Sequence, residues 1–212
     1  MSKKTTILFD FDGVITNTEP QYDIYFNALA EKYNLGIDNF AFKIKGVTMP
    51  NIIEKYFSHF SQDVIDQILK ETDDFEKQMD FQFVPGADAF IEYVKNNNYK
   101  IGLVTSSREF KLKIALEQMG LTNTFDTIVT ANRITQGKPD PMCYLLGAKD
   151  LQSDPSECVV FEDALSGIQA GTTAGMRVIG LSTTIPADQL NGLVYATIPD
   201  FTDIPLVLSY LD

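Results

Sequence analysis

The 212-residue sequence holds one histidine and two cysteines, Cys143 and Cys158, with no cluster of either. Cysteines so few and so isolated build neither a disulfide framework nor a zinc site. A reducing cytoplasm is the expected compartment. Long apolar runs are missing too: the longest are a few residues, far short of the ~20 that a membrane-spanning helix needs. Met1-Ser2-Lys3-Lys4 runs straight into a strand-like segment, without the apolar stretch and cleavage site of a signal peptide. Basic charge is scarce. Lys and Arg total 17 against 29 Asp and Glu, a formal net charge of −12. Such a chain repels nucleic acid and anionic membranes unless a local basic patch overrides the average, and the sequence has no such patch. An anionic substrate would have to be met by a few placed cations or by a bound metal. Internal repeats and low-complexity tracts are absent.

What remains is an ordinary globular composition, 44% hydrophobic and 22% charged. A chain of this length buries roughly 70% of the surface it exposes when unfolded, so it needs no staple, and a monomer is expected. Thr5–Phe9 is a short strand-like run. From Glu19 to Asn34, Tyr22, Phe26, Leu29 and Tyr33 recur at helical spacing. Further helices are expected around 50–60 and 62–79. Beyond residue 84, strands expected at Ile101–Thr105, Thr127–Thr130, Cys158–Phe161 and Val178–Leu181 alternate with helices at 108–119, 141–150 and 164–174. A weaker strand near Tyr195–Ile198 and a helix from Pro205 close the chain.

Strand–helix alternation of this kind predicts an α/β fold, a Rossmann-like parallel sheet with helices on both faces. The helical block after the first strand reads as an inserted all-helical domain over residues 16–83. Residues 1–15 and 84–212 then form the core, with hinges near Thr16–Thr18 and Phe81–Val84.

Polar residues stand at the carboxyl ends of three separate strands: Asp10, Thr105, and the Glu162-Asp163 pair. Open α/β sheets bind ligands in the crevice outside those ends. Asp10 and Asp12 are two apart, so in an extended chain both point to one side, and Gly13 lets the backbone turn at once. Up to four carboxylates then share a small volume. Two like charges ~4 Å apart repel by about 4 kcal/mol at an effective dielectric of 20. Either some carboxyls keep their protons or a hard cation sits among them. Oxygen ligands without nearby nitrogen favour Mg²⁺. Lys138, in Gly137-Lys138-Pro139-Asp140-Pro141, offers a held cation. Asp140 reads as the cap of the following helix and Pro141 as its first residue. Thr105, Ser106 and Ser107 supply hydroxyls and N–H groups ahead of a helix, suited to a phosphate.

These residues in this order resemble the haloacid dehalogenase-like superfamily. The matching motifs are Asp10-Phe11-Asp12-Gly13-Val14, the apolar run ending in Thr105, Lys138 in Gly-Lys-Pro-Asp-Pro, and Phe161-Glu162-Asp163. Gly167-Ile168-Gln169-Ala170-Gly171 also resembles the β-phosphoglucomutase-type branch, whose cap position the helical insert fits.

The resemblance implies that Asp10 is a nucleophile forming an aspartyl-phosphate. It implies that Asp12 is general acid and then base, binding Mg²⁺ through its carbonyl. Asp163 would be a metal ligand, and Glu162 a ligand or its supporting neighbour. Thr105 and Ser106, with Gly13 and Ser107 beside them, would hold the phosphoryl group, and Lys138 would pair phosphate and Asp10. Tyr22, in the first helix of the insert, is a candidate substrate contact. The mutases carry a histidine at Tyr22 and an arginine at Met49, which follows Gly46-Val47-Thr48. Both differences favour a Mg²⁺-dependent phosphatase acting on a small phosphorylated metabolite, with a sugar phosphate as the leading class. The mutase and a non-catalytic phosphometabolite-binding regulator are the alternatives. Lys77 and Arg108 are expected to be solvated charges, and His59 a structural or exposed residue.

Overall fold

A computed structural model describes residues 5–45 and 47–212; Met1–Lys4 and Gly46 lie outside the described residues. Six parallel strands form one sheet: β1 (Thr6–Phe9), β2 (Lys100–Val104), β3 (Thr127–Val129), β4 (Cys158–Glu162), β5 (Arg177–Leu181) and β6 (Ala196–Ile198), in the order β3-β2-β1-β4-β5-β6. The central strand β1 pairs Thr6 with Lys100 on one side and with Cys158 on the other.

The strand interiors are mostly apolar because both faces are covered. Ile7, Phe9, Ile101, Leu103, Val159 and Phe161 point to one face. There they meet α5 (Ala87–Asn96), α6 (Glu109–Gln118) and α10 (Ile204–Ser209), through Phe90, Leu112 and Val207. Phe9 and Phe161 stack with ring centres 5.4 Å apart. Leu8, Val104, Cys158 and Val160 point to the other face and pack on α7 (Met142–Asp150) and α8 (Leu165–Thr173). Both cysteines serve this packing, and they do not form a disulfide.

Between β1 and α5 the chain makes α1 (Glu19–Lys32), α2 (Phe40–Lys43), α3 (Met49–Ile52), a wider helical turn over Ile53–Phe57, and α4 (Gln62–Glu76). These helices surround a hydrophobic cluster of their own, built on Phe26, Leu29, Phe40, Ile52, Phe57 and Ile68. The chain enters and leaves this block through two adjacent segments. The Asn17 N–H donates to the Gln82 carbonyl (2.8 Å) and the Val84 N–H to the Ile15 carbonyl (2.9 Å). No helix among the described residues is long and apolar enough to cross a membrane.

Differences from the sequence expectations are local. α5 has no counterpart there, nor do α2 and α9 (Ala187–Leu190). The first half of the 50–60 helix is regular and the rest is the wider turn. α7 runs from Met142, and the Asp140 carboxylate accepts the Met142 N–H (2.9 Å) as a cap does, with Pro141 between them in helical conformation (φ −72°, ψ −5°). Glu162 belongs to β4 rather than to the loop beyond it.

Candidate active site

The strand order reverses direction between β1 and β4, and the crevice at their carboxyl ends is the expected binding place in a sheet of this kind. Asp10 directly follows β1, its N–H donating to the Phe161 carbonyl (3.0 Å). Thr105 follows β2, and its N–H donates to the Val129 carbonyl (2.9 Å). Asp163 follows β4. All three are buried. Thr105 does not cap α6, which begins at Glu109; its hydroxyl instead accepts the Ser107 N–H (3.0 Å).

Lys138 ties the strand ends together. Its Nζ donates to Asp10 Oδ1 (2.7 Å), to Glu162 Oε1 (2.6 Å) and to the Val104 carbonyl (3.4 Å). Glu162 accepts two further main-chain bonds at Oε2, from Asp163 (3.0 Å) and Ala164 (3.1 Å), and one from the Tyr144 hydroxyl (2.8 Å). Four donors and complete burial fix this carboxylate. Gly167 on α8 makes room for it, since a Cβ there would lie 1.6 Å from Oε1.

Asp12 and Asp10 line the same cavity, as the two-residue spacing predicts, but they are held by different lysines. The chain turns after Phe9, and Asp12 meets Lys111 of α6 at 2.5 and 2.6 Å, the Ser107 hydroxyl at 2.8 Å and the Thr18 hydroxyl at 2.5 Å. Gly13 has φ +76°, and a Cβ there would lie 1.9 Å from Asp163 Oδ2. The main chain after Asp12 therefore comes as close to the Asp163 carboxylate as only glycine permits. The loop after β5 adds Thr183, whose hydroxyl donates to the Gly13 carbonyl (2.6 Å), and Thr184, which donates to Asp163.

Electrostatics separate the carboxylates. Burial, reinforced by Glu162 and Asp12 and opposed by Lys138, pushes Asp10 up to about 7. Burial together with Glu162 and Asp10 raises Asp163 well above the usual carboxylate range. Burial works against Asp12 as well, but Lys111 and the Thr18 and Ser107 hydroxyls outweigh it and hold this group below its ordinary value. Asp10, Glu162 and Asp163 each offer an oxygen within 4.8 Å of the others. An oxygen-only cluster whose members resist ionising together is one that a hard divalent cation would relieve. The residues present therefore fit such an ion.

The cavity extends from these groups to the helical block, with Ser106 and Ser107 on its wall. Tyr22 reaches it from α1. Its hydroxyl donates to Glu76 of α4 (3.0 Å) and its ring lies 4.6 Å from the Lys111 ammonium. Arg108 is not a solvated charge: its Nη2 lies 2.9 Å from Glu76 Oε2 and also pairs with Asp73. Lys77 does face solvent, paired with Asp74. Lys111, Glu76, Thr18, Thr183 and Thr184 went unrecognised in the sequence. Only Thr18, at the expected hinge, carried a positional hint.

The sheet order and this convergence define a Rossmann-like α/β enzyme core with a helical insertion after the first strand. Residues 7–181 match the family model described as "Haloacid dehalogenase-like hydrolase", and the chain belongs to that family. It is 30% identical over 184 residues to the "Phosphorylated carbohydrates phosphatase" of Thermotoga maritima, covering 82% of this chain and 84% of that protein. It is also 30% identical over 195 residues to the "Beta-phosphoglucomutase" of Bacillus subtilis, covering 85% and 84%. Among solved structures, a family IA hydrolase from Entamoeba histolytica superposes with a TM-score of 0.81 at 22% identity, over 97% of this chain and 98% of that one. A β-phosphoglucomutase from Clostridium difficile also gives 0.81, at 24% identity over 98% and 96%. At these identities the structural likeness speaks for the fold.

Proposed function

We propose that this protein is a Mg²⁺-dependent phosphatase that hydrolyses a small phosphorylated metabolite, a sugar phosphate first among them, through an aspartyl-phosphate on Asp10. The observation that carries the reading is the convergence of Asp10, Asp12, Thr105, Lys138 and Asp163 on one crevice from separate parts of the chain. The relative named "Phosphorylated carbohydrates phosphatase" supports the substrate class.

Asp10 attacks phosphorus through a carboxylate oxygen, and the bond from phosphorus to the leaving oxygen breaks as Asp12 gives that oxygen a proton. Asp12 then takes a proton from water. The water oxygen attacks phosphorus, the acyl-phosphate P–O bond breaks, and Asp10 is restored with release of inorganic phosphate. Lys111, Ser107 and Thr18 favour the ionised form of Asp12, the form needed for that second step, and the proton taken from water there is the one given to the leaving oxygen in the next turnover. Thr105 and the Ser106 N–H orient the phosphoryl oxygens. Lys138 balances their charge and keeps the Asp10 oxygen aimed, itself anchored by Glu162. The Asp10 and Asp163 carboxylates and the Asp12 carbonyl would hold Mg²⁺, which neutralises charge on the phosphoryl group.

Residues 16–83 serve as a closing unit over the core formed by 1–15 and 84–212, moving about the paired linkers at Ile15–Asn17 and Gln82–Val84. Closure keeps bulk water from the first step and reopening releases product. Tyr22 and Met49, standing where the mutases carry histidine and arginine, favour transfer to water over return to the sugar.

Phosphorus NMR with Mg²⁺ and a panel of phosphorylated sugars tests the reading. Free phosphate is expected, and Asp10→Asn should abolish it. A phosphate moved to another hydroxyl would mean a mutase, and metal-dependent release undiminished in Asp10→Asn would rule out the covalent route.

A further inference from the structure

We infer that the far end of the cavity selects phosphate esters whose leaving group is uncharged and rich in hydroxyls, and turns away those carrying a second anionic group. The inference rests on the phosphatase reading above and narrows it.

Among the described residues lining the cavity, the cations are Lys45, Arg108 and Lys111. Each is already matched. The Lys45 Nζ lies 3.1 Å from Asp23 Oδ1 and also pairs with Glu19. Arg108 is clasped from α4 by Glu76 at 2.9 Å and by Asp73. Lys111 is spent on both oxygens of Asp12. Two of the three cations thus face two carboxylates each, and Tyr22 donates its hydroxyl to Glu76 rather than into the cavity. The distal wall is in excess of acceptor oxygens.

A carboxylate accepts hydrogen bonds and cannot donate them, so it welcomes a hydroxyl and repels a phosphate or carboxylate. A second anion on the substrate would have to break one of these partly buried ion pairs and leave the displaced carboxylate unmatched. Phe26, Ile44 and Met49 supply an apolar wall that suits the C–H surface of a polyol. This is discrimination by an unfavourable contact for the wrong substrate, not by a special contact for the right one.

The test compares two open-chain compounds that differ at a single carbon. Glucitol 6-phosphate ends in CH₂OH, and 6-phosphogluconate ends in a carboxylate. Each is added as a competitor of p-nitrophenyl phosphate hydrolysis with Mg²⁺ at constant ionic strength, so that binding is read whether or not the competitor turns over. Glucitol 6-phosphate should have an inhibition constant at least about tenfold lower, an easily resolved difference. Glu76→Gln removes one partner of Arg108 and should bring the ratio toward unity; Asp73→Asn is the companion variant should the first fold poorly. Equal or tighter binding of 6-phosphogluconate, or no competition by glucitol 6-phosphate, overturns the inference and leaves the phosphatase standing. No hydrolysis of p-nitrophenyl phosphate overturns both.

Discussion

Lys111 is a lysine on a ten-residue helix, yet it is only 1% exposed. An ammonium so buried costs several kcal/mol unless it is paired, and here both Asp12 oxygens and the Ser107 hydroxyl (3.0 Å) pair it. Its proposed role is to keep Asp12 ionised and aimed. In Lys111→Met, burial of Asp12 is opposed only by the Thr18 and Ser107 hydroxyls, and its pKa rises. A base with a raised pKa stays protonated, and idle, up to a higher pH, so the acid limb of the rate profile should move up in pH. The turnover number should fall on the order of tenfold to a hundredfold. An unshifted profile would assign Lys111 to packing alone. The sequence gives little warning of this lysine, because its meaning lies in a partner 99 positions away. Asp10, Thr105 and Asp163 are legible for the opposite reason: the first two follow directly on a short apolar run and the third follows one after a single glutamate, so the strand itself says where the side chain goes. Arg108 misleads in the same way as Lys111, since neither Glu76 nor Asp73 is its neighbour in the chain.

Strands in the core follow from pattern because burial on two faces leaves their interiors mostly apolar, and the helices between them because each buries one face. The longest element that pattern missed is α5, whose Phe90, Ile91 and Val94 are buried at helical spacing behind a Pro-Gly turn. The helical block is legible as helical but not in its packing, which depends on aromatic contacts such as Phe40 with Phe57 (6.0 Å). Between elements, the tightest fit near the site is α8 against the end of β4. Glu162 cannot retreat from a methyl at Gly167, being tied to Lys138, Tyr144 and two main-chain N–H groups. Gly167→Ala should therefore destabilise the protein by about 2–4 kcal/mol, read as a lower urea midpoint. Activity should fall about a hundredfold through displacement of Lys138, since errors of an ångström at a site cost that much. Full activity in this variant would mean that the Glu162–Lys138 pair has no part in the chemistry.

Across the whole molecule, acidic charge is concentrated where the protein most resists it. Asp10 moves from 3.8 to about 7 and Asp163 rises in the same direction. Both bind protons more tightly folded than unfolded, so their stabilising effect is complete below about pH 4 and fades as the pH climbs toward 7. Asp12, shifted down, contributes oppositely: its stabilisation is present above its unfolded value and is lost only as the pH falls through the lower folded one. Metal-free protein should therefore lose thermal stability between about pH 4 and about pH 7, and Mg²⁺ should restore it. The shift in Tm on adding Mg²⁺ should be larger at about pH 8 than at about pH 5. An equal shift at both would locate the ion away from these carboxylates.

The position of β1 at the centre of the sheet also sets a timetable. Its partners are Lys100 and its neighbours on one side and Cys158 and its neighbours on the other, so the first strand to leave the ribosome waits for two of the later ones. At about 5–20 residues per second, that interval is on the order of ten seconds. During it the helical block, with its own cluster from Phe26 to Ile68, is complete, while Ile7, Leu8 and Phe9 lack one or both of their neighbouring strands. The protein is thus born with its insertion ahead of its core, and newly made chains arrested before β4 should be cut by protease at β1 while the helical block resists.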